Sequence, residues 1–202
     1  MILFVEGPRG CGKTFLINQF LEECIDPRLE YYKFYFANHV KWLGLTERDS
    51  DPSLHYFSLG NIMTILEMNQ RPEYRDRIWI FDRALISAYA WAVLRGRLTK
   101  EQASTEFMKI VSSDLFSNCK TLYVSVSQQT GDSTRVKDTW DGAHSTATEI
   151  EQLSSFFGMG FEEFSRTDSG NDGIVVHNKF NEESIDLFKS ACYQLLGIRP
   201  DK

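Results

Sequence analysis

The residues of this sequence whose types and spacing best predict chemistry are G-P-R-G-C-G-K-T at positions 7–14. They match the pattern G-x-x-x-x-G-K-[ST], a loop whose backbone N–H groups converge on the phosphates of a nucleoside triphosphate. Gly12 leaves room for the phosphates, Lys13 brings charge to the β- and γ-phosphates, and Thr14 brings a hydroxyl to a phosphate-bound Mg²⁺. Glu6, directly before the loop, is interpreted as a carboxylate that stabilises it. The sequence therefore predicts an ATP and Mg²⁺ site. The predicted nucleotide-binding residues are Gly7, Pro8, Arg9, Gly10, Cys11, Gly12, Lys13 and Thr14.

Asp82 and Arg83 form a second candidate group, because they follow four apolar residues at 78–81. In a P-loop fold such a run is the strand beside the first one, and the acid at its end faces the metal. We therefore predict that Asp82 holds Mg²⁺ together with Thr14. ATPases that act on nucleic acids or proteins usually have a second acid here, whereas an arginine suits transfer between small molecules. Arg83 is thus predicted to bind the phosphoryl acceptor. The predicted catalytic residues of this part are Lys13, Asp82 and Arg83.

The elements that must position these groups alternate between strands and helices. Strand-forming runs occupy residues 1–5, 31–36, 77–83, 121–126 and 173–177. Between them lie helical patterns whose starts are predicted at Asp51-Pro52, at capping boxes that open with Thr99 and Thr148, and at Asn181. Strands that alternate with helices predict a parallel sheet covered on both faces. The expected fold is a three-layer α/β P-loop NTPase fold with a five-stranded parallel sheet, in a single domain over residues 1–202.

A polar stretch at residues 127–147 shows little helical or strand periodicity. Loops of that length in compact domains are usually functional or disordered. We interpret this stretch as a lid over the site.

At Asp82 and Arg83 the sequence resembles the thymidylate kinase and deoxynucleoside kinase branch of the P-loop kinases. The run D-R-A-L-I-S-A at 82–88 repeats the acid, the arginine and the later serine of that family. The resemblance covers most of the chain in element order and length. It implies phosphoryl transfer from ATP to a nucleotide or nucleoside, and it implies that Ser87 belongs to the acceptor site. It also suggests a homodimer that packs through helices on one side of the sheet.

The same resemblance implies roles for residues outside this run. Phe57 stands at the family's distance from the Asp-Arg strand for a phenylalanine that stacks on the base. Asn61 stands where the family has an arginine, and both residues are assigned to the acceptor site on this basis. The family lid carries several arginines over the transferred phosphoryl group, whereas this lid offers Arg135 and Lys137. Arg135 is therefore the predicted catalytic residue of the lid.

Two acceptor chemistries remain open. A nucleoside 5′-hydroxyl must lose a proton, and nucleoside kinases of this group use a carboxylate after the second strand as the base. This sequence reads F-A-N-H at 36–39 and so has no carboxylate there. A monophosphate is already largely ionised at neutral pH, since its second pKa is near about 6, so it needs cations rather than a base. The candidate cations are Arg48, Arg71, Arg75 and Arg83. The favoured acceptor is a (deoxy)nucleoside monophosphate, and the alternative is a deoxynucleoside with Asp82 or His39 as the base.

A function without catalysis is the second hypothesis. The lid has few cations, which leaves open a nucleotide-binding regulatory protein that kept the loop and lost phosphoryl transfer. Such a protein would bind ATP with Mg²⁺ but show no acceptor-dependent turnover.

Composition and charge limit the classes of partner that we expect for this protein. A net charge of −6 and a pI of about 5.3 argue against a broad nucleic-acid surface. The four cysteines form no C-x-x-C pair and the four histidines show no metal-ligand spacing, as in proteins of a reducing cytosol. No apolar run approaches about 18 residues, and Met1 leads straight into the first strand. We therefore expect a cytoplasmic protein with a small-molecule acceptor, no membrane segment and no nucleic-acid partner.

Overall fold

Parallel strands form one sheet in the computed structural model, which describes residues 1–8, 10–33, 51–125, 155, 162 and 173–199. The strands are β1 (Ile2–Glu6), β2 (Leu29–Lys33), β3 (Ile78–Asp82), β4 (Cys119–Ser125) and β5 (Gly173–His177). Their order across the sheet is β2-β3-β1-β4-β5, and every neighbouring pair is parallel. β1 lies in the centre and is buried along its whole length, as expected for a strand covered on both faces.

Helices cover both faces of this sheet. One face carries α1 (Lys13–Glu23) and α5 (Glu182–Leu196), and the other carries α2 (Pro52–Asn69), α3 (Leu85–Leu94) and α4 (Lys100–Val111). Each face has its own apolar core, because alternate residues of a strand point in opposite directions. Leu3 and Val5 pack with α1 and α5, whereas Ile2 and Phe4 pack with the other three helices.

Polar caps set the starts of three helices. Asp51 caps α2 and Asn181 caps α5, each by accepting a hydrogen bond from an amide of the first turn. Thr99 and Gln102 form a capping box at the start of α4. These side chains satisfy amide groups that have no partner within the helix. The three helix starts were predicted from the sequence and are confirmed.

The predicted three-layer α/β fold with five parallel strands is also confirmed. Two strands begin two residues earlier than predicted, β2 at Leu29 and β4 at Cys119, because these residues already pair with β3 and β1. Residues 34–36 and the predicted capping box at Thr148 lie outside the described residues. Among the helices that are described, none has the length and apolarity needed to cross a bilayer.

His55 of α2 is a buried titratable residue between the helices. Its ring centroid lies 5.3 Å from that of Tyr56 and 4.6 Å from that of Tyr89. Its Nε2 lies 3.9 Å from a carboxylate oxygen of Glu106 in α4. Burial lowers the pKa of His55, and the opposing effect of Glu106 is smaller. The folded protein therefore favours the neutral imidazole.

We predict that the free energy of unfolding decreases as the pH falls below about 6.5, because His55 then binds a proton in the unfolded chain before it does so in the folded one. Phenylalanine cannot titrate and keeps the aromatic contacts, so His55→Phe should reduce this loss. Urea unfolding of both proteins at about pH 5.5 and about pH 7.5 measures the effect. Equal losses of stability in the two proteins would contradict this role of His55.

Candidate active site

The loop at residues 7–14 and the pair Asp82-Arg83 lie at the same edge of the sheet. β1 and β3 are parallel neighbours, and Val5 stands beside Asp82 in their register. The carboxyl ends of parallel strands meet at one edge, where ligands of open α/β sheets usually bind. The two groups, which are far apart in the sequence, therefore form one site.

All three glycines of the loop have a positive φ that disfavours a side chain, and at two of them a side chain would also meet a neighbouring residue. Gly7 has a φ of 147° and Gly12 a φ of 86°. A Cβ on Gly7 would lie 2.2 Å from the carbonyl oxygen of Val124, and a Cβ on Gly12 would lie 2.5 Å from Nδ2 of Asn178. The glycine pattern that predicts phosphate binding is thus also needed for the loop to pack against β4 and the residue after β5.

Lys13, the first residue of α1, is buried within the loop. Its Nζ donates hydrogen bonds to the carbonyl oxygens of Gly7 (2.8 Å) and Pro8 (2.7 Å) and lies 3.3 Å from the sulfur of Cys11. Burial lowers the pKa of this ammonium group. The carbonyl contacts hold Lys13 against the loop, where the motif predicts that it meets the β- and γ-phosphates.

Thr14 and Asp82 are in direct contact. Thr14 Oγ1 donates a hydrogen bond to Oδ2 of Asp82, and the hydroxyl of Tyr31 lies 3.5 Å from the same oxygen. Alternation along β3 explains the contact, since Asp82 shares the face of Ile80, which packs with α1. Asp82 is only 2% exposed.

These two oxygen groups suit a magnesium ion. Mg²⁺ is usually bound by one or two carboxylates together with phosphate oxygens and waters, rather than by a cage made only of protein groups. Thr14 and Asp82 fit that description. Within the part of the chain that is described, no group of three or more His, Cys, Asp or Glu side chains offers a metal site of another kind.

Arg83 has a strained backbone. Its φ of 73° lies in the left-handed region, which costs a non-glycine residue about 1–3 kcal/mol and persists only where surrounding contacts hold it. One such contact is the hydrogen bond from the Arg83 amide to the carbonyl oxygen of Val5 (3.0 Å). Strain of this kind is concentrated at functional sites, which supports the predicted importance of Arg83.

Glu6, the last residue of β1, holds the turn after β3. Its Oε1 accepts hydrogen bonds from the amides of Ala84 (3.0 Å) and Ser87 (3.3 Å), and its Oε2 accepts one from the hydroxyl of Ser87. The sequence predicted a role for Glu6 in the loop at 7–14, whereas these hydrogen bonds go to another element. Burial raises the pKa of Glu6, and the hydrogen bonds from Ser87 oppose that effect. Ser87 is fully buried, and its contact with an acceptor stays a prediction.

The turn after β5 contributes residues that sequence reasoning missed. Nδ2 of Asn178 donates to the carbonyl oxygen of Cys11 (2.9 Å), and its Oδ1 accepts from the amide of Phe180 (2.8 Å). The backbone N–H of Asn178 also donates to the carbonyl oxygen of Ser125 (2.8 Å). The turn is thereby tied both to the loop and to β4. The signal that could have found Asn178 is its place directly after a predicted parallel strand, because that position lies at the edge that carries the loop.

Phe57 and Asn61 lie one helical turn apart on α2. Phe57 is 40% exposed, and Nδ2 of Asn61 donates to the carbonyl oxygen of Phe57 (3.1 Å). Their assignment to an acceptor base stays a prediction. Arg9, Arg135 and the lid at 127–147 lie outside the described residues.

The structure does not support Arg71 and Arg75 as acceptor ligands, although the sequence suggested them. They flank the short 3-10 turn Pro72–Tyr74, which leads into the amino end of β3, whereas Arg83 follows its carboxyl end. A five-residue strand is about 13 Å long from its first to its last Cα. Both arginines are therefore at the edge of the sheet opposite the loop, and that suggestion was wrong. Arg48 lies outside the described residues.

Comparison with solved structures agrees with the fold described above. The whole chain matches 53% of the NadR protein, solved in complex with NR, with a TM-score of 0.66 and 12% identity. It matches thymidylate kinase from Candida albicans over 97% of this chain and 90% of that one, with a TM-score of 0.61 and 15% identity. It matches deoxyadenosine kinase from M. mycoides, solved with bound dATP, over 95% and 99%, with a TM-score of 0.60 and 16% identity. The chain has the fold of a P-loop kinase.

The likeness to known proteins is found by comparing structures and not by comparing sequences. No protein-family model and no curated protein matches the sequence. The chain spans about half the length of the NadR chain, so it corresponds to a part of that protein. At these identities the likeness concerns the fold, and the roles of single residues rest on the local geometry.

The loop glycine provides a direct test of the site. Gly12→Ala is expected to cost more than about 1 kcal/mol of stability, because alanine is strained at this positive φ and its Cβ meets Asn178. It should also weaken the binding of Mg²⁺-ATP. Thermal unfolding and calorimetric titration with Mg²⁺-ATP measure the two effects.

Gly60→Ala is the matched control for this substitution. Gly60 lies in α2, where a Cβ would meet nothing within 4 Å. Alanine there should stabilise the protein by about 0.5–1 kcal/mol and leave ATP binding unchanged. Similar effects of the two substitutions would contradict the packing described for the loop.

Proposed function

We propose that this protein transfers the γ-phosphoryl group of ATP to a (deoxy)nucleoside monophosphate. The observation that carries the proposal is the contact between Thr14 of the loop and Asp82 of β3, with Arg83 in a held, strained conformation beside it. A P-loop lysine, a paired hydroxyl and carboxylate, and an arginine at one edge are the groups that phosphoryl transfer between small molecules requires.

ATP would lie in the loop after β1. The backbone N–H groups there and the ammonium group of Lys13 would bind the phosphates. Thr14 and Asp82 would hold the Mg²⁺ ion, which neutralises phosphate charge when bound. Little covalent chemistry is required of the protein in such a reaction, so catalysis comes from positioning and from charge stabilisation.

The acceptor is proposed to carry a phosphate, because the two carboxylates that the described residues place at this edge have other partners. Asp82 accepts a hydrogen bond from Thr14, and Glu6 accepts hydrogen bonds from the turn after β3. Neither is placed as an unengaged base for a hydroxyl acceptor. A monophosphate needs no base, since it is largely ionised at neutral pH, and the guanidinium of Arg83 suits its oxygens.

The solved neighbours support the class of reaction more than the choice of acceptor. Two of them are named as kinases of different acceptors, a thymidylate and a deoxyadenosine. The base and the sugar therefore have to be found by assay. We further propose that the protein acts in the cytoplasm, in keeping with its four free cysteines, and that it forms a homodimer.

An assay of ADP release tests the proposal. The full chain with Mg²⁺-ATP is screened against the common nucleosides and their 5′-monophosphates. We expect turnover with at least one monophosphate and none with the matching nucleoside, and a loss of more than about 100-fold in kcat/KM for Lys13→Ala. Turnover with a nucleoside alone would favour the 5′-hydroxyl acceptor. ATP binding without turnover on any acceptor would favour a regulatory protein.

Substituting single arginines tests the acceptor site. Arg83→Ala is expected to raise the KM for the acceptor by about 10- to 100-fold, the effect of losing a charge-assisted hydrogen bond of about 1.5–3 kcal/mol, with little change in the KM for ATP. Arg75→Ala is the matched control, because Arg75 precedes β3 at the opposite edge. Equal effects of the two substitutions, or equal losses for ATP and acceptor in Arg83→Ala, would contradict the role of Arg83.

A further inference from the structure

We propose that Glu6 is the positioning residue for Arg83. From the end of β1 its carboxylate caps the N-terminus of α3, and this cap holds the turn that directs Arg83 to the acceptor. The inference rests on the proposed function for the role of Arg83, and on the observed hydrogen bonds for the role of Glu6.

The helix that follows Arg83 does not cap itself. The residue at its N-cap is Ala84, which has no side-chain oxygen to accept a hydrogen bond from the first turn. Glu6 supplies that oxygen from another element, since it accepts from the amides of Ala84 and Ser87. Ser87 is the third residue of α3, the position whose amide a side-chain cap usually binds. A carboxylate at a helix N-terminus is also favoured by the helix dipole.

Two consecutive residues of β1 hold two consecutive residues of this turn. The carbonyl oxygen of Val5 accepts from the amide of Arg83, and the carboxylate of Glu6 accepts from the amide of Ala84. The peptide groups before and after Arg83 are thus both restrained, which holds its left-handed φ. Without Glu6, the peptide between Arg83 and Ala84 can rotate toward an ordinary conformation, which redirects the arginine side chain.

Ser87 is part of the same hydrogen-bonded cap. It is fully buried, its hydroxyl donates to Oε2 of Glu6, and its amide donates to Oε1. Strand alternation places Glu6 on the face of Phe4, toward α3. The serine that follows the Asp-Arg pair would therefore act on the acceptor through Glu6 and Arg83, and not by touching the acceptor.

Three variants separate the parts of this proposal. Glu6→Ala removes the cap. Glu6→Gln keeps it, because one oxygen still accepts from the two amides and the new NH₂ group donates to the Ser87 hydroxyl, which can also accept. Leu3→Ala is the control, because Leu3 is a buried residue of the same strand that packs on the opposite face. It should destabilise the protein without touching the turn.

The first measurement is amide hydrogen exchange resolved at Arg83, Ala84 and Ser87 by NMR, in the ligand-free protein. Glu6→Ala is expected to speed exchange at these amides by at least about tenfold more than at the amides of β4, whereas Glu6→Gln stays within about threefold of wild type. Leu3→Ala should speed exchange without preference for the turn. A uniform change in Glu6→Ala, or none, overturns the proposal.

The second measurement is a double-mutant cycle on the KM for the acceptor. Glu6→Ala is expected to raise this KM by about tenfold or more while the KM for ATP changes less than about threefold, and Glu6→Gln should restore it. In the Arg83→Ala background, Glu6→Ala should add less than about twofold, because its effect passes through the arginine. Additive losses would overturn the proposal.

The two measurements separate this inference from the proposed function. If no acceptor supports turnover, the proposed kinase activity fails, and the exchange rates of Arg83 and Ala84 alone decide whether Glu6 positions this turn. If turnover is found and the exchange rates do not respond to Glu6→Ala, the inference fails and the kinase activity stands.

Discussion

The parallel pairing of β1 with β3 is the interaction on which the whole candidate site depends. Its register sets Val5 beside Asp82, so that the loop after β1 and the turn after β3 share one edge. The same register turns Asp82 toward α1, where Thr14 binds it, and Glu6 toward α3, where it binds the turn. A shift of one residue would exchange the two faces of a strand and separate both pairs. The geometry of the site is therefore a consequence of how the central strand is buried and paired.

The candidate site contains buried ionisable side chains and a strained residue, both of which lower the stability of a fold unless other contacts compensate. Lys13, Asp82 and Glu6 are at most 4% exposed, and Arg83 is in a strained conformation. Buried charges are costly unless they are paired and hydrogen-bonded. Each of these groups is held by hydrogen bonds to another part of the site. The loop carbonyls accept from Lys13, Thr14 donates to Asp82, the turn after β3 donates to Glu6, and β1 accepts from the amide of Arg83. Such an arrangement fixes polar groups in advance, which is what electrostatic catalysis would require if the proposed function holds.

Proteins that share this fold are named for different acceptors. Two of the solved neighbours are named for different acceptors, although the chain matches both over nearly its whole length. Function in such folds lies in the residues placed at the sheet edge and not in the fold. For this chain the candidates are the loop, the Asp-Arg pair and the turn after β5. The acceptor base is to be sought around α2, where Phe57 is exposed beside Asn61.

The sequence alone determined the features that depend on neighbours within a few residues. These are the phosphate loop, the alternation of strands and helices, and the helix caps at Asp51, Thr99 and Asn181, because glycines, periodicity and cap residues act locally. Only the tertiary structure decided which distant groups meet. Glu6 binds amides 78 and 81 residues away, and Asn178 binds a carbonyl 167 residues away. It also decided that Arg71 and Arg75 lie at the wrong edge for an acceptor. Strand order and register set these contacts, and both arise from burying two apolar faces of one sheet rather than from any short run of residues.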